Sequence, residues 1–518
     1  MSRLKKFAHS LFSGYLQLGA NVVFSLASVP LALSYLSTKE FGLWALTTQV
    51  ATFVGQLDFG MSSSVSRVLV DHKDQRDAGD YGSVIQTGIW VSVVQGLLIL
   101  AVGVGLAFLI GPAMKVPAEL ERDFRWLMIG QCGLMAGMFA GRVFSLVLAA
   151  HQRYDVTNYS QVVAFFVNLG LMWWGFAAGL GVFSLLWAQL GVLVLSTLVA
   201  LGACVRLQLL PRAGHWGRPN RRLFREIFAF GRDIFLFVLG AQLIISSQTI
   251  LLTRVLGLEA VAMWVVGTRA FQVITQIIYR MFDFSSSALA EMIVRREKER
   301  LLLRFRSLTV LSCSVSVVAA ALFIVCNQSF IASWLKGKVG WSPWNDGLLG
   351  IWLVLEVLVH VHTGLVGQTK AFRFMRFLFF FEGLFFVGGS LLVLGWGGIP
   401  AMLLMSIAAS LFFSLPYGIW RTSEYFQISW RTVTWAWVRP SVRLAVVMWP
   451  LAALVWWATR PLPPMVRFAV CAGGLGIVGA GLLLRLGLDE TLQQELSGRG
   501  PKWLQPVLLR LCGQRAKT

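Results

Sequence analysis

The chain has 518 residues, of which 57% are hydrophobic and 13% charged, and its mean hydropathy is +0.70. That apolar share exceeds the range of soluble domains and excludes a water-soluble protein. The formal net charge of +21 is therefore read as a distribution along a membrane protein, and no nucleic-acid partner is expected.

Apolar segments of the length a helix needs to cross a hydrocarbon core of about 30 Å recur along the whole sequence. Ten-residue alternating patterns of a membrane barrel are absent, so the fold class is all-α and polytopic, with about 14 transmembrane helices. The first segment, residues 12–36, places Gln17, Asn21, Ser25 and Ser28 on one face. These polar residues also separate it from a cleaved signal peptide, so the helix is expected to be retained. The second, residues 42–66, carries Gln49, Thr52 and Gln56 on one face, then Asp58 beside Gly60, where a kink is allowed. Arg67 stands at its end.

Residues 83–110, 126–148, 158–179 and 183–205 complete a first group. Arg142 and Arg153 are assigned to the loop after the fourth segment. An arginine-rich linker with Pro211 and Pro219 follows, and the division into 1–219 and 220–440 is made there. The seventh segment, 230–253, aligns Gln242, Ser246, Thr249 and Thr253. A faint repeat supports the division: "LSYLSTKEFGLWAL" and "LLTRVLGLEAVAMWVV" each follow a helix end with a short loop, one glutamate (Glu40, Glu259) and a tryptophan. Even-numbered repeats predict two lobes related by an axis along the membrane normal.

The eighth segment, 260–286, is with the first two the most polar. At about 100° per residue, Arg269, Gln272, Gln276, Arg280 and Asp283 fall within an arc of roughly 80°. An arginine at the bilayer centre costs at least about 2.5–3.5 kcal/mol, so such residues face a bundle interior or a wet cavity. Asp283 neutralising Arg280 is one reading of the stripe, and half of a binding site centred on Arg269 is the other. The shorter stripes on the first, second and seventh segments are read either as helix–helix hydrogen bonding or as walls of the same cavity.

After residues 308–332, the tenth segment, 347–369, sets Glu356 and His360 on one face, with His362 pointing elsewhere. Such a pair serves as an ion-coupling or proton-relay candidate, or simply as a local hydrogen bond. Asp58 is a second ion-coupling candidate, and Glu382, on the eleventh segment (375–396), is likewise a buried carboxylate without a local partner. The chain continues through 398–420, two further segments within 441–487, and a basic, tryptophan-containing tail over 488–518 that fits a membrane surface or a partner protein. Lysine and arginine concentrate in alternate loops, which places both termini in the cytoplasm. The six cysteines are scattered and never form a CxxC pair, so neither a disulfide framework nor a metal site is expected.

"LSTKEFGLWALTTQVATFVGQLDFGMSSSVSRVL", "RVFSLVLAAHQRYD" and "LGLEAVAMWVVGTRAFQVITQIIYRMFDFSSSALAEM" resemble the polysaccharide flippases of the MOP (multidrug, oligosaccharidyl-lipid, polysaccharide) superfamily. The resemblance covers most of the first twelve segments, and the first hairpin is its most specific part. It implies two six-helix lobes around a cavity that opens alternately to each side, to which the last two segments add two extra C-terminal helices. It further implies a polyprenyl-pyrophosphate-linked oligosaccharide as cargo, a bacterial inner-membrane location, and assembly partners such as a polysaccharide polymerase. Arg269 matches a cavity arginine and Arg67 a basic entrance in that family. Gln17 and Asn21 stand where lipid II flippases carry charge, a departure from that branch. No cofactor is required beyond a coupling proton or Na+. The competing expectations are a cation-coupled multidrug exporter of the same superfamily, which would want cavity carboxylates, and a membrane glycosyltransferase or polymerase. The latter would need a larger outer domain than "IGPAMKVPAELERDFR" or "SWLKGKVGWSPWND" provides.

Overall fold

A computed structural model of the chain describes residues 3–73, 80–369, 372–489 and 492–494. Most of the basic tail, including Cys512, lies outside the described residues, as do Arg76 and Lys370. The regular structure of the described residues is all helical, because a helix over a long apolar run satisfies its backbone groups internally. Their order is α1 (Arg3–Tyr35), α2 (Thr38–Val54), α3 (Met61–His72), α4 (Asp80–Ala113), α5 (Glu121–Ala150), α6 (Tyr154–Ala177), α7 (Phe183–Arg206), α8 (Arg221–Ile245) and α9 (Ser247–Leu256). There follow α10 (Leu258–Gly267), α11 (Arg269–Val294), α12 (Lys298–Trp334), α13 (Pro343–Gln368), α14 (Phe372–Phe412), α15 (Ser414–Phe426), α16 (Arg439–Ala458), α17 (Pro464–Val470) and α18 (Gly476–Leu482).

Among the described residues eleven helices are long and apolar enough to cross a membrane, or twelve if α10 and α11 form one broken span. Two features separate this from a count of 14 continuous spans. The second segment is split into α2 and α3, each too short alone, and the eleventh and twelfth run together as Phe374–Phe426. In that stretch Gly398, with φ 59° and ψ −153°, breaks the helical path just before Pro400.

The chain divides into two compact units, Met1–Ala262 and Met263–Thr518. In the first, α4 packs along α5 and α6 along α7, and α1 lies against α6. Val65, Leu69, Tyr81, Ile85, Val143 and Val147 form a buried cluster there, and the Tyr81 hydroxyl donates to the Leu209 carbonyl at 2.9 Å. A capping box starts α2: Ser37 Oγ accepts from the Glu40 amide at 3.2 Å, while Glu40 Oε2 accepts from the Ser37 amide at 2.8 Å. Glu40, a marker of the sequence repeat, is thus a helix cap. Gly42, one turn on, faces the Leu258 backbone so closely that a Cβ would collide with it.

In the second unit α12 is the central helix, packing on α11, α13 and α16. Val317, Ala321, Leu444, Met448 and Cys471 form one buried cluster, and Phe282, Leu301, Phe305, Val361 and Trp437 another. Large apolar side chains such as Leu392 and Trp396 are about four-fifths exposed, as suits a surface solvated by lipid tails. The five described cysteines are free and buried.

Candidate functional site

In the first unit, the path of the second span is set by Asp58. After α2 the chain makes a single 3₁₀ turn, Gly55–Asp58, and then two left-handed residues, Phe59 (φ 49°) and Gly60 (φ 71°), before α3. Asp58 caps the new helix: its Oδ2 accepts from the Ser62 amide at 3.3 Å and its Oδ1 from the Ser62 hydroxyl at 2.9 Å. The carbonyl of Asp58, freed by the break, accepts from Gln95 Nε2 at 2.7 Å.

Arg142 completes this group. The charge pattern counts it with the loop after residues 126–148, although it falls within that segment; the structure places it inside α5, two turns before the helix ends at Ala150. Its Nη1 meets Asp58 Oδ1 at 2.7 Å and its Nε donates to Ser92 Oγ at 3.1 Å. The same guanidinium donates to Gln95 and Ser62 and stacks 4.1 Å from the Phe139 ring centroid. Asp58 therefore has a strong cationic partner, contrary to the expectation of a lone carboxylate. An ion pair with this many bonds, largely shielded from solvent, is suited to holding a broken helix in one geometry.

The other first-unit candidates are more modest. Gln17 and Asn21 on α1, and Gln49 and Gln56 on the second span, are half-buried. Gln242 on α8 accepts a hydrogen bond from the Ser246 hydroxyl, and Thr249 on α9 is buried, its carbonyl accepting from Thr253 at 2.8 Å. Arg67 is exposed on α3.

In the second unit, α11 begins after a break at Thr268, whose hydroxyl turns back to the Trp264 carbonyl at 2.7 Å. Arg269 follows immediately and is half-buried; Gln272, Gln276, Arg280 and Asp283 are exposed along the same helix. Arg280 lies 5.8 Å from the Phe284 ring, and Asp283 pairs elsewhere. Its Oδ1 is 3.1 Å from His360 Nε2, so the Asp283–Arg280 pair expected from spacing gives way to an Asp283–His360 pair.

Glu356 and His360 are joined through a residue that spacing did not single out. The Tyr279 hydroxyl donates to Glu356 Oε2 at 2.7 Å, and its ring stacks on the His360 imidazole at 3.7 Å with 3° between planes. A half-buried carboxylate, a phenol, an imidazole and an exposed carboxylate thus succeed one another between α11 and α13. His362 is buried apart from them: its Nδ1 donates to Thr422 Oγ1 at 2.8 Å, since that hydroxyl is already donating to the Gly418 carbonyl. Glu382 is not isolated either, accepting from Ser414 at 2.9 Å.

Residues 7–285, more than half of the chain, match the sequence profile of the polysaccharide biosynthesis protein family. The chain belongs to that family. Its fold is that of MOP superfamily transporters. An inward-facing multidrug resistance MATE family transporter is similar with a TM-score of 0.65 at 14% identity, covering 80% of this chain and 99% of that one. The lipid II flippase MurJ in an inward closed conformation gives a TM-score of 0.65 at 10% identity, covering 93% of this chain and 99% of that one. A MOP superfamily transporter from Pyrococcus furiosus, whose binding pocket is described as reversed in polarity, gives 0.54 at 16% identity, covering 82% and 97%. No curated protein matches in sequence. The family member described here is a multi-pass membrane protein built on that fold.

Proposed function

We propose that the chain is an alternating-access flippase that moves a polyprenyl-pyrophosphate-linked oligosaccharide across the bacterial inner membrane for cell-surface polysaccharide assembly. Membership in a polysaccharide biosynthesis family supports the class of cargo. The observation that carries the reading is the polar face of α11, which exposes Gln272, Gln276 and Arg280 beyond Arg269 in an otherwise apolar protein. Hydrocarbon does not tolerate such a face, so it borders water or a polar cargo.

In this proposal Arg269 gives the pyrophosphate charge-assisted, bidentate hydrogen bonds, a geometry that lysine lacks. Gln272 and Gln276, with Gln17, Asn21, Gln49, Gln56, Gln242 and Thr249, exchange hydrogen bonds with sugar hydroxyls. Arg67 and Arg280 attract the anionic head at the cytoplasmic side. Lobes 1–219 and 220–440 rock between two states, with 441–487 as added helices, both termini inside and membrane lipids around them. Glu356 and His360, bridged by Tyr279, carry the coupling ion, while Asp58 acts as the anchor of Arg142. Polymerase and other assembly proteins receive the outward-facing product. The chemistry is physical transfer, with no covalent step.

The test is the sidedness of lipid-linked oligosaccharide in cells carrying Arg269→Ala or Arg269→Lys at wild-type membrane levels. Build-up of the intermediate on the inner leaflet is expected in both, more in the alanine variant. Normal sidedness and export in both would remove Arg269 from the site and this cargo from the protein.

A further inference from the structure

In the first unit α5, α6 and α7 enclose a hollow of about 70 Å³, lined by Ser145, Thr157, Ser160, Gln161 and Ser196. Four hydroxyls and one amide thus come from three helices to one space. Polar residues in a membrane helix usually bond a neighbouring helix, but these do not. The Thr157 hydroxyl donates to the Tyr154 carbonyl at 2.9 Å and the Ser196 hydroxyl to the Leu193 carbonyl at 3.1 Å, each within its own helix. Ser160 Oγ is buried and has no hydrogen-bond partner. Thr157 and Ser196 therefore keep lone pairs for an incoming O–H, while Ser160 and the Gln161 amide can both give and receive.

The hollow is turned away from lipid. At about 100° per residue, Ser196 lies roughly 160° around α7 from Val194 and Leu198, which are exposed. On α6 the exposed Val163 and Phe166 stand about 120° or more from Thr157 and Gln161. Thr157, Ser160 and Gln161 lie within about two turns of the start of α6, the end that the charge pattern places toward the cytoplasm. Between them Asn158 donates to Ser13 Oγ of α1 at 3.0 Å, and Gln17 and Asn21 follow Ser13 at four-residue steps. The polar stripe of α1 thus starts beside the hollow. Leu148 and Val199 supply an apolar wall, and no charged side chain lines the space. A phosphate or carboxylate would be buried there without a counter-charge, and a prenyl chain would strand the hydroxyls. A neutral sugar answers both, having hydroxyls that donate and accept and a C–H face for the apolar wall.

We propose that this hollow between α5, α6 and α7 is a carbohydrate subsite, which takes the hydroxyl-bearing edge of one uncharged sugar of the cargo head. The inference rests on the flippase reading and adds a place, apart from Arg269, where sugar identity is read. Its size admits a few hydroxyls and their carbons, so it selects one residue of the oligosaccharide and leaves the remainder to the wider polar faces.

The experiment is saturation-transfer NMR on the purified full-length protein in a detergent that contains no sugar. The probes are the methyl glycosides of glucose, galactose, mannose and N-acetylglucosamine, with glucuronic acid as the anionic comparison. Saturable transfer to at least one neutral glycoside is expected, with little to glucuronic acid. Ser160→Leu, which fills the hollow, should weaken that binding about tenfold or more, and Val194→Leu on the lipid-facing side of α7 should leave it unchanged. Should Ser160→Leu fail to fold, Gln161→Ala replaces it, with a loss in the same direction. Transfer to none of the neutral glycosides, as for a hollow that holds only structural water, would overturn the subsite. So would equal transfer to glucuronic acid, or binding that survives both substitutions. The sidedness assay on the Arg269 variants reads the cargo separately. Inner-leaflet build-up there without sugar binding strikes the subsite and leaves the flippase; sugar binding lost in Ser160→Leu alongside normal sidedness keeps the subsite and strikes the cargo.

Discussion

Arg142 and Asp58 lie 84 positions apart in sequence and 2.7 Å apart in space, and each is mostly shielded from water. Removing one partner leaves an uncompensated charge among Ser62, Ser92 and Gln95, which costs about 3 kcal/mol or more. Arg142→Met should therefore lower the unfolding midpoint sharply, whereas Arg142→Met with Asp58→Leu should recover much of the loss. Recovery is incomplete because Asp58 also caps α3, a contribution of about 1 kcal/mol. Equal stability of both single variants to wild type, measured in denaturant, would show that solvent screens the pair. Tyr279 permits a finer cut. Tyr279→Phe removes the donor to Glu356 and keeps the ring stacked on His360, so a stability loss of about 1–2 kcal/mol is expected. If the phenol belongs to the coupling path, inner-leaflet lipid-linked sugar rises in Tyr279→Phe as in Glu356→Gln, and not in His362→Gln, whose ring bonds Thr422 instead.

At the scale of elements, the broken second span is the feature with most bearing on how the fold is held. Gly60 sits at φ 71°, where a Cβ is strained by roughly 1–2 kcal/mol. Gly60→Val should destabilise by at least that much and Gly60→Asn by less, since asparagine tolerates the left-handed region. Thermal midpoints of the pair check this, and equal midpoints would mean that the turn relaxes. Sequence periodicity made the helices and the α11 stripe legible, because a face of one helix is a local property. Gly60 beside Asp58 even marked the kink. Arg142 was not legible, since an arginine shortly before "HQRYD" reads as the basic end of a span, and only a partner on another helix draws it inward. Tyr279 reads as an apolar helix residue until α13 supplies Glu356 beside it. The joined stretch Phe374–Phe426 was divided in sequence at Gly398, where the backbone does leave the helical path.

For the whole molecule, orientation rests on charge alone: the linker around Arg212 and Arg218 is expected in the cytoplasm, and Lys115 and Lys338 outside. The native cysteines leave this open to direct measurement, because the five described ones are buried and Cys512 is removable as Cys512→Ser. In that background Lys115→Cys and Lys338→Cys should react with a membrane-impermeant maleimide on intact spheroplasts. Gly214→Cys, in the exposed linker, should react only after permeabilisation. One cysteine in each unit outside, with the linker inside, would put the start of α11 nearer the outer surface and Arg280, eleven residues further on, about 16 Å nearer the cytoplasm. That order suits a cargo whose anionic head is drawn in from the cytoplasm and passed up the face of α11 to Arg269. The reverse labelling pattern would set Arg280 at the outer mouth, and the same polar face would then fit uptake or release on the opposite side.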